Sequence, residues 1–443
     1  MKLNIENFGK IKSAKIELNG YSIFIGDNNS GKTYLMQLIY GVVQTLCNIS
    51  HFDTPVFSDF PYKVDDGNVQ LFQDSINKWL NDNKHYIVKN TFNSEINISS
   101  LSIEIDLGKL KKDNVLLRKI KSSEIAGAKK RILYSQNVDK TGDVFICIEN
   151  ERFIYVLAKE QDRSDSFWRD FFVGILFERL LCGNDSGALY LPVSRGGFNL
   201  VYRDLMAAMV TPKEYNLGAN LKPISESKKM GLTKPVFDYL IFMQTYKPDE
   251  GRLKKNRNVI DFINKKIIKG SITHFGDEIR YISENGVDLP LFLASSMVNE
   301  LTPVVHLLSS VNPVGRVFYD EIETSQHPTT QIQLARLMNR LVNVGINLIV
   351  STHSDTMASA ISNLVALSFA KDKERKCVKL GLEKADLLQE DVVHAYQFLK
   401  ENDGLSVVTE VGKFNELGMG YDFSLFSNAS EEIFKAAKII YEE

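Results

Sequence analysis

Cysteine is scarce. The four present, at positions 47, 147, 182 and 377, fall in no C-x-x-C or metal-like spacing, which argues against a thiolate metal centre. They are expected to be small buried residues in a reducing compartment. Proline is also sparse, with 11 in 443 residues, and charged residues make up only 24%, so long disordered tracts are excluded. No window of 18 apolar residues occurs, and "MKLNIENFGKIK" at the start alternates polar with apolar residues and lacks a signal-peptide core. A cytoplasmic protein that spans no membrane is therefore expected. Neither charge sign dominates: 53 Lys and Arg meet 55 Asp and Glu, for a net charge of −2. Any attraction to nucleic acid or anionic lipid must then come from local patches. Internal repeats, low-complexity tracts and sustained heptads are missing too, which excludes solenoids and an extended coiled coil. What remains is a globular chain, 44% hydrophobic and long enough for two or three lobes.

Against that background, "IFIGDNNSGKTYL" at 23–35 concentrates poor structure formers between an apolar run and a helical pattern. Gly26 and Gly31 bracket Asp27, Asn28, Asn29 and Ser30, and Lys32 and Thr33 follow, which is the G-x-x-x-x-G-K-[ST] spacing of a phosphate loop. Glycines let backbone N–H groups curl around a β-phosphate, and Lys32 can reach the β- and γ-phosphates. The Thr33 hydroxyl suits Mg²⁺. "YSIFI" reads as a buried strand before the loop, and a helix from about 31 to 46 aims its positive end at the anion. The simpler reading is an Asx-rich turn joining strand to helix.

Strands are expected at "KLNIENF", "SAKIEL" and "YSIFI". Residues 50–187 suggest a helix near 70–82, strands in "INISSLSIEIDL" and "DVFICIENERFIYVLA", and an apolar helix "SFWRDFFVGILFERLL". "ALYLPVSRGG" reads as a buried strand ending in a turn, followed by mostly helical patterning to about 285. In the final third, strand "GRVFYDEIETSQHP", helix "TTQIQLARLMNRLVNVG" with Pro328 near its start and Gly345 at its end, and strand "INLIVSTHSD" make a βαβ crossover between parallel neighbours.

A phosphate loop only binds; hydrolysis also needs a held Mg²⁺ and an activated water. Asp320, at the end of the "RVFY" strand, can hold the Mg²⁺ shell, and Glu321 can orient and deprotonate the water. His353, at the tip of the next strand, would lie beside the γ-phosphate. Alone, an acidic pair at a strand end is often merely solvated, and a lone His is often structural. Together the three sit at C-terminal ends of expected parallel strands, the edge where open α/β sheets bind ligands. Small GTPases and nucleotide kinases rarely separate their motifs as far as Lys32 and Asp320 stand here, and "NKKI" at 264 lacks the Asp of a guanine signature.

"GDNNSGKT", "VFYDEIETSQHP" and "LIVSTHSD" resemble the ABC-type ATPase heads of the structural-maintenance-of-chromosomes and OLD lineage. More closely, they are similar to the stand-alone bacterial AAA-type ATPases of anti-phage systems, such as the ATPase subunit of the phage anti-restriction-induced system. The specific motifs cover about 1–46 and 290–365; Glu323, His327 and Pro328 fit the family's E-x-x-x-H-P continuation. The resemblance implies an α/β P-loop NTPase fold of ABC-ATPase-head type, with a discontinuous core at 1–46 and 290–443. Between the core halves it implies an inserted β-rich lobe with helices at 47–199 and a helical lobe at 200–289. Arg195, in "LYLPVSRGGF", would then stand near the nucleotide. A signature motif contacting ATP on a partner subunit would fall in "ASSMVNELTPVVHLL", with Ser295 and Ser296 capping a helix toward the γ-phosphate. Met297 departs from the pattern where Gly would allow closer approach, no Gln marks the usual linker after the β lobe, and a plain helix cap is the other reading.

ATP and Mg²⁺ are thus the implied ligands, and a homo-oligomer of at least two subunits the implied assembly. As the resemblance implies, the ATPase would act as sensor or motor in anti-phage defence, controlling a separate effector such as a nuclease. Two basic stretches, 109–131 with nine Lys or Arg against two acids and 247–269 with eight against three, are either a groove for nucleic acid or an acidic protein, or solvated helix faces. The carboxylates of "IEIDLGK" near 104 match a nuclease core only weakly. The competing functions are a DNA-repair or chromosome-maintenance ATPase, a transporter ATPase, and an ATP-bound structural switch with negligible turnover.

Overall fold

Alternating and continuous apolar runs build one large sheet. The computed structural model describes residues 1–106, 108, 115–134, 142–150, 153–183, 187–193, 195–210, 231–276, 278–413, 420, 421, 423, 435, 438 and 439. Its nine-stranded sheet is formed by β1 (Lys2–Phe8), β2 (Ile11–Glu17), β3 (Tyr21–Gly26), β4 (Ser100–Glu104), β5 (Ala188–Leu191), β6 (Arg316–Tyr319), β7 (Asn347–Thr352), β8 (Val393–Lys400) and β9 (Ser406–Glu410). The spatial order is β5-β6-β7-β3-β8-β9-β2-β1-β4. From β5 to β8 all neighbours are parallel, while the β1–β2, β1–β4 and β8–β9 pairs are antiparallel. Every residue of β3 and β6 is buried, as required of parallel strands covered on both faces.

Both faces are covered by helices, and strand alternation divides their cores. Phe24, Phe318 and Ile349 point toward α1 (Lys32–Cys47), α2 (Val69–Phe92) and α3 (Asp165–Cys182), where Leu35, Phe72 and Phe172 join them. Helices α4 (Arg195–Val210) and α5 (Lys234–Thr245) follow β5 in the chain. Ile23, Ile25, Val317 and Val350 face the opposite side, where α6 (Ser296–Ser309), α7 (Pro328–Asn343) and α8 (Asp355–Ser368) contribute Leu301, Leu334 and Ile361. This is the expected α/β P-loop architecture, and the β6-α7-β7 crossover joins parallel neighbours as its spacing predicts. Among the described residues no helix is long and apolar enough to cross a membrane.

The helix expected near 70–82 forms and continues further, from Val69 to Phe92. Three expectations need correction. The strand at 188–191, placed by sequence within the inserted lobe, pairs with β6 in the core sheet, and β4 pairs with β1. Helical patterning does not persist to 285: Gly270–Phe275, Glu278–Ser283 and Asp288–Pro290 form an antiparallel three-stranded sheet. Its residues alternate with period two, and Gly276, at φ +60°, makes the turn. Cys47 is half-buried rather than buried, while Cys147, Cys182 and Cys377 are inside; all four are free thiols.

Candidate active site

The loop between β3 and α1 is shaped by its backbone. Asn29 and Gly31 take positive φ, 63° and 98°, within the turn that points the first amides of α1 into the loop. A Cβ on Gly26 would come within 2.9 Å of the Phe398 Cβ, so close packing excludes one there, while at Gly31 the φ of 98° favours glycine. Inside the loop the Ser30 Oγ is buried and has no partner among the described residues. Lys32 is only 6% exposed and donates to the carbonyls of Gly26 at 2.7 Å and Asp27 at 2.9 Å. Burial pulls its pKa down, and Glu321, Asp320, Glu323 and Asp27 oppose that shift.

Thr33 meets the acidic strand. Its hydroxyl donates to Asp320 Oδ1 at 3.1 Å. Asp320 is fully buried and also accepts from Tyr190 at 2.7 Å and Ser351 at 2.5 Å. Glu321 follows with φ +45°, a conformation uncommon outside glycine. Its N–H donates to Ser351 Oγ at 2.8 Å, and the Thr324 hydroxyl donates to its carbonyl at 2.8 Å. Burial raises the Glu321 pKa; the His353 charge opposes this, and Asp320 and Glu323 reinforce it. His353 Nδ1 lies 3.1 Å from Glu323 Oε1 and 3.8 Å from Glu321 Oε1. Its backbone N–H donates to Glu323 Oε1 at 2.7 Å. His327 caps α7, with Pro328 in the first turn.

The structure therefore brings Lys32, Thr33, Asp320, Glu321 and His353 to one edge of the sheet. Arg195 lies beneath the acidic strand. Its guanidinium is fully buried and donates to the carbonyls of Pro192, Asp320 and Glu321, so it supports the backbone of the acidic pair. Ser295 caps α6 by accepting from the Val298 N–H, and Ser296 opens that helix. Both are exposed, and among the described residues no hydrogen bond joins either to the phosphate loop. Within the basic stretch at 109–131, Arg118, Lys119 and Lys130 pair with Glu149 or Glu160, and in the second stretch Arg257 and Lys265 pair with Asp261. Lys109, Lys111 and Lys112 lie outside the described residues, as does Leu107 of "IEIDLGK"; in that segment Glu104 is exposed and pairs with Lys15.

Sequence reading missed four supporting residues. Tyr190 and Ser351 each place a polar group on a buried strand, and that mismatch with an apolar run was the available signal. Lys10 and Lys400, which donate to Asn29 Oδ1 and the Asn28 carbonyl, carried none, being 19 and 372 residues from those partners.

Phosphate and Mg²⁺ fit this arrangement. The glycine-dependent turn, the enclosed lysine and the unpartnered Ser30 hydroxyl suit an anion. Among the described residues no group of three or more His, Cys, Asp or Glu could hold a metal alone. Thr33 and Asp320 offer two oxygens, as suits Mg²⁺ that takes its other ligands from phosphate and water.

Residues 1–166 match the AAA ATPase domain family model. No curated protein matches the chain. Three solved structures are similar over nearly the full length. An Smc head bound to the C-winged helix domain of ScpA is 13% identical, with 93% of this chain and 97% of that chain covered and a TM-score of 0.38. The SMC head domain from Thermotoga maritima is 11% identical, with 93% and 98% covered and a TM-score of 0.34. An Smc head with an extended coiled coil, bound to the C-terminal domain of ScpA derived from Pyrococcus furiosus, is 12% identical, with 99% of each chain covered and a TM-score of 0.36.

Proposed function

We propose that this chain is a Mg²⁺-dependent ATPase whose phosphate site is built by Gly26 to Thr33 and whose water-activating base is Glu321. The observation that carries the reading is the 3.1 Å bond from Thr33 to Asp320, which joins the phosphate loop to the acidic strand across 287 positions of chain. Mg²⁺, when bound, would neutralise charge developing on the transferred phosphoryl group. Thr33 and Asp320 would hold it. Lys32 would exchange its loop carbonyls for phosphate oxygens. Glu321, its pKa raised chiefly by burial, would accept a proton from the attacking water, and a carboxylate closer to neutrality is the better base. His353, held beside Glu321 and Glu323, would orient that carboxylate or meet the γ-phosphate.

The exposed Ser295–Ser296 turn, flanked by Phe292 and Leu293 at 63% and 61% exposure, suits a surface that closes over the nucleotide of a second copy. On this reading the core comprises 1–46 and 290–443, complemented by β4 and β5, with the remaining segments between as inserted lobes. Motif resemblance supports a cytoplasmic role in anti-phage defence, in which the closed dimer controls a separate effector such as a nuclease.

Lys32→Ala tests the site. The folded variant is expected to lose at least about 100-fold in ATP affinity by fluorescent-nucleotide titration, with an unchanged circular dichroism spectrum. Wild-type affinity would overturn the assignment.

A further inference from the structure

A buried ion pair connects the two ends of the candidate site. Arg195 Nε lies 2.5 Å from Glu300 Oε2, and both side chains are inside, at 0% and 4% exposure. On one side the guanidinium donates to the Asp320 carbonyl at 2.8 Å and the Glu321 carbonyl at 3.2 Å, and it stacks over the Tyr319 ring at 4.6 Å. On the other, Glu300 belongs to α6, one turn beyond Ser296, and its Oε1 accepts the Gly196 N–H at 3.2 Å. A second limb runs alongside. Asn199 donates to the Asn299 carbonyl at 2.6 Å, and Asn299 donates back to the carbonyls of Leu291, Ala294 and Ser295, fixing the turn that presents Ser295.

Glu321 is the group at which this connection matters. Its φ of +45° is a strained conformation that persists only when the surroundings over-determine it. Arg195 supplies one of the contacts that do so, through the carbonyl. A buried Arg–Glu pair is costly relative to apolar residues of the same volume, so stability alone gives little reason for it.

We propose that Arg195 and Glu300 are positioning residues that couple the N-terminus of α6 to the backbone of Glu321, so that engagement of Ser295 and Ser296 by a second subunit's nucleotide aligns the carboxylate for hydrolysis. The inference rests on the ATPase reading above. The coupling element is the α6 start, and its output is the orientation of one carboxylate, a displacement on the order of 1 Å being enough to cost up to about 100-fold in rate.

Three variants of the full chain test it by steady-state ATPase kinetics, nucleotide titration and thermal melting. In Gly196→Ala the added Cβ would fall 2.6 Å from Glu300 Oε1, displacing the carboxylate while leaving both charges in place. Glu300→Gln keeps the shape and removes the charge. Both are expected to bind ATP within about twofold of wild type and to lose at least about tenfold in kcat. The double variant Arg195→Met/Glu300→Met removes the pair without stranding a charge, so it should melt near the wild-type temperature yet remain slow. Wild-type kcat in folded Gly196→Ala or Glu300→Gln would overturn the coupling, as would a double variant that regains both stability and kcat, since the pair would then be structural. If wild type binds no ATP, the ATPase reading falls and the coupling falls with it. If wild type hydrolyses ATP and Glu321→Gln does not, that reading stands and the three variants decide the coupling alone.

Discussion

Ser351 donates to Asp320 Oδ1 at 2.5 Å and accepts the Glu321 N–H at 2.8 Å. One hydroxyl at the end of β7 thus sets both carboxylate residues of the neighbouring strand. Ser351→Ala would leave the Glu321 N–H unpaired in a half-buried site, at a cost of about 1–3 kcal/mol. A lower melting temperature and a higher Mg²⁺ requirement for turnover are expected. Thermal melting and an ATPase titration with Mg²⁺ check both; a variant indistinguishable from wild type in the two would remove Ser351 from the site.

Glu321→Gln separates binding from chemistry. It should retain ATP, lose hydrolysis and accumulate a nucleotide-bound dimer by light scattering. A stability effect accompanies it. The folded-state pKa of Glu321 is raised above its ordinary value of 4.5, so the protonated form is favoured by folding. The stability it contributes is complete below the unfolded pKa and is lost as pH rises through the folded one. Without nucleotide, Glu321→Gln should therefore melt higher than wild type at pH 7, and the difference should vanish near pH 4. A variant that turns over at the normal rate would exclude Glu321 as the base.

A shared site predicts complementation between defective subunits. A bulky substitution, Ser296→Trp, should leave ATP binding by each monomer unchanged and block ATP-dependent assembly. Mixed with Lys32→Ala, it should restore part of the ATPase activity, because one site of the mixed dimer has an intact loop facing an intact Ser296. Absence of recovery where mixed dimers demonstrably form would place the partner contact elsewhere.

His306 is expected to make the fold sensitive to acid. It is buried in α6, its Nε2 lies 3.0 Å from that of His274, and Tyr246 stacks on it at 3.9 Å. Its Nδ1 has no partner among the described residues. Burial holds its pKa well below 6.5, and the charge of His274 adds to the effect; His274 is lowered too, by burial and by Arg203. Well above pH 6.5 the unfolded and folded forms are equally neutral. As pH falls below it the unfolded chain takes protons that the folded one refuses, so stability drops, at most by about 1.4 kcal/mol per pH unit for each proton. Melting temperature should decline from pH 7.5 to 5.5, and His306→Phe should flatten the decline. An equally steep profile in that variant would assign the effect to other groups.

The chemistry of the phosphate loop, the acidic pair and the β6-α7-β7 crossover is legible in the sequence because each is local. Glycine spacing, a strand-length apolar run and a capped amphipathic helix act within a few residues of the groups they position. The hairpin at 270–290 was legible by the same rule, through its period-two alternation and Gly276, but the helical patterns before it obscured the change of period. What only the tertiary structure decides is the identity of the second layer around the site. Tyr190, Ser351 and Glu300 reach Asp320, Glu321 and Arg195 across 130, 30 and 105 positions of chain, and no periodicity encodes a contact between strands or helices so far apart. Arg195 shows the distinction in a single residue. An arginine at a strand-to-helix turn suggests an anion, but the direction in which it points depends on the packing of α6 beneath it, where Glu300 waits inside a low-dielectric core and an unpaired guanidinium could not be buried.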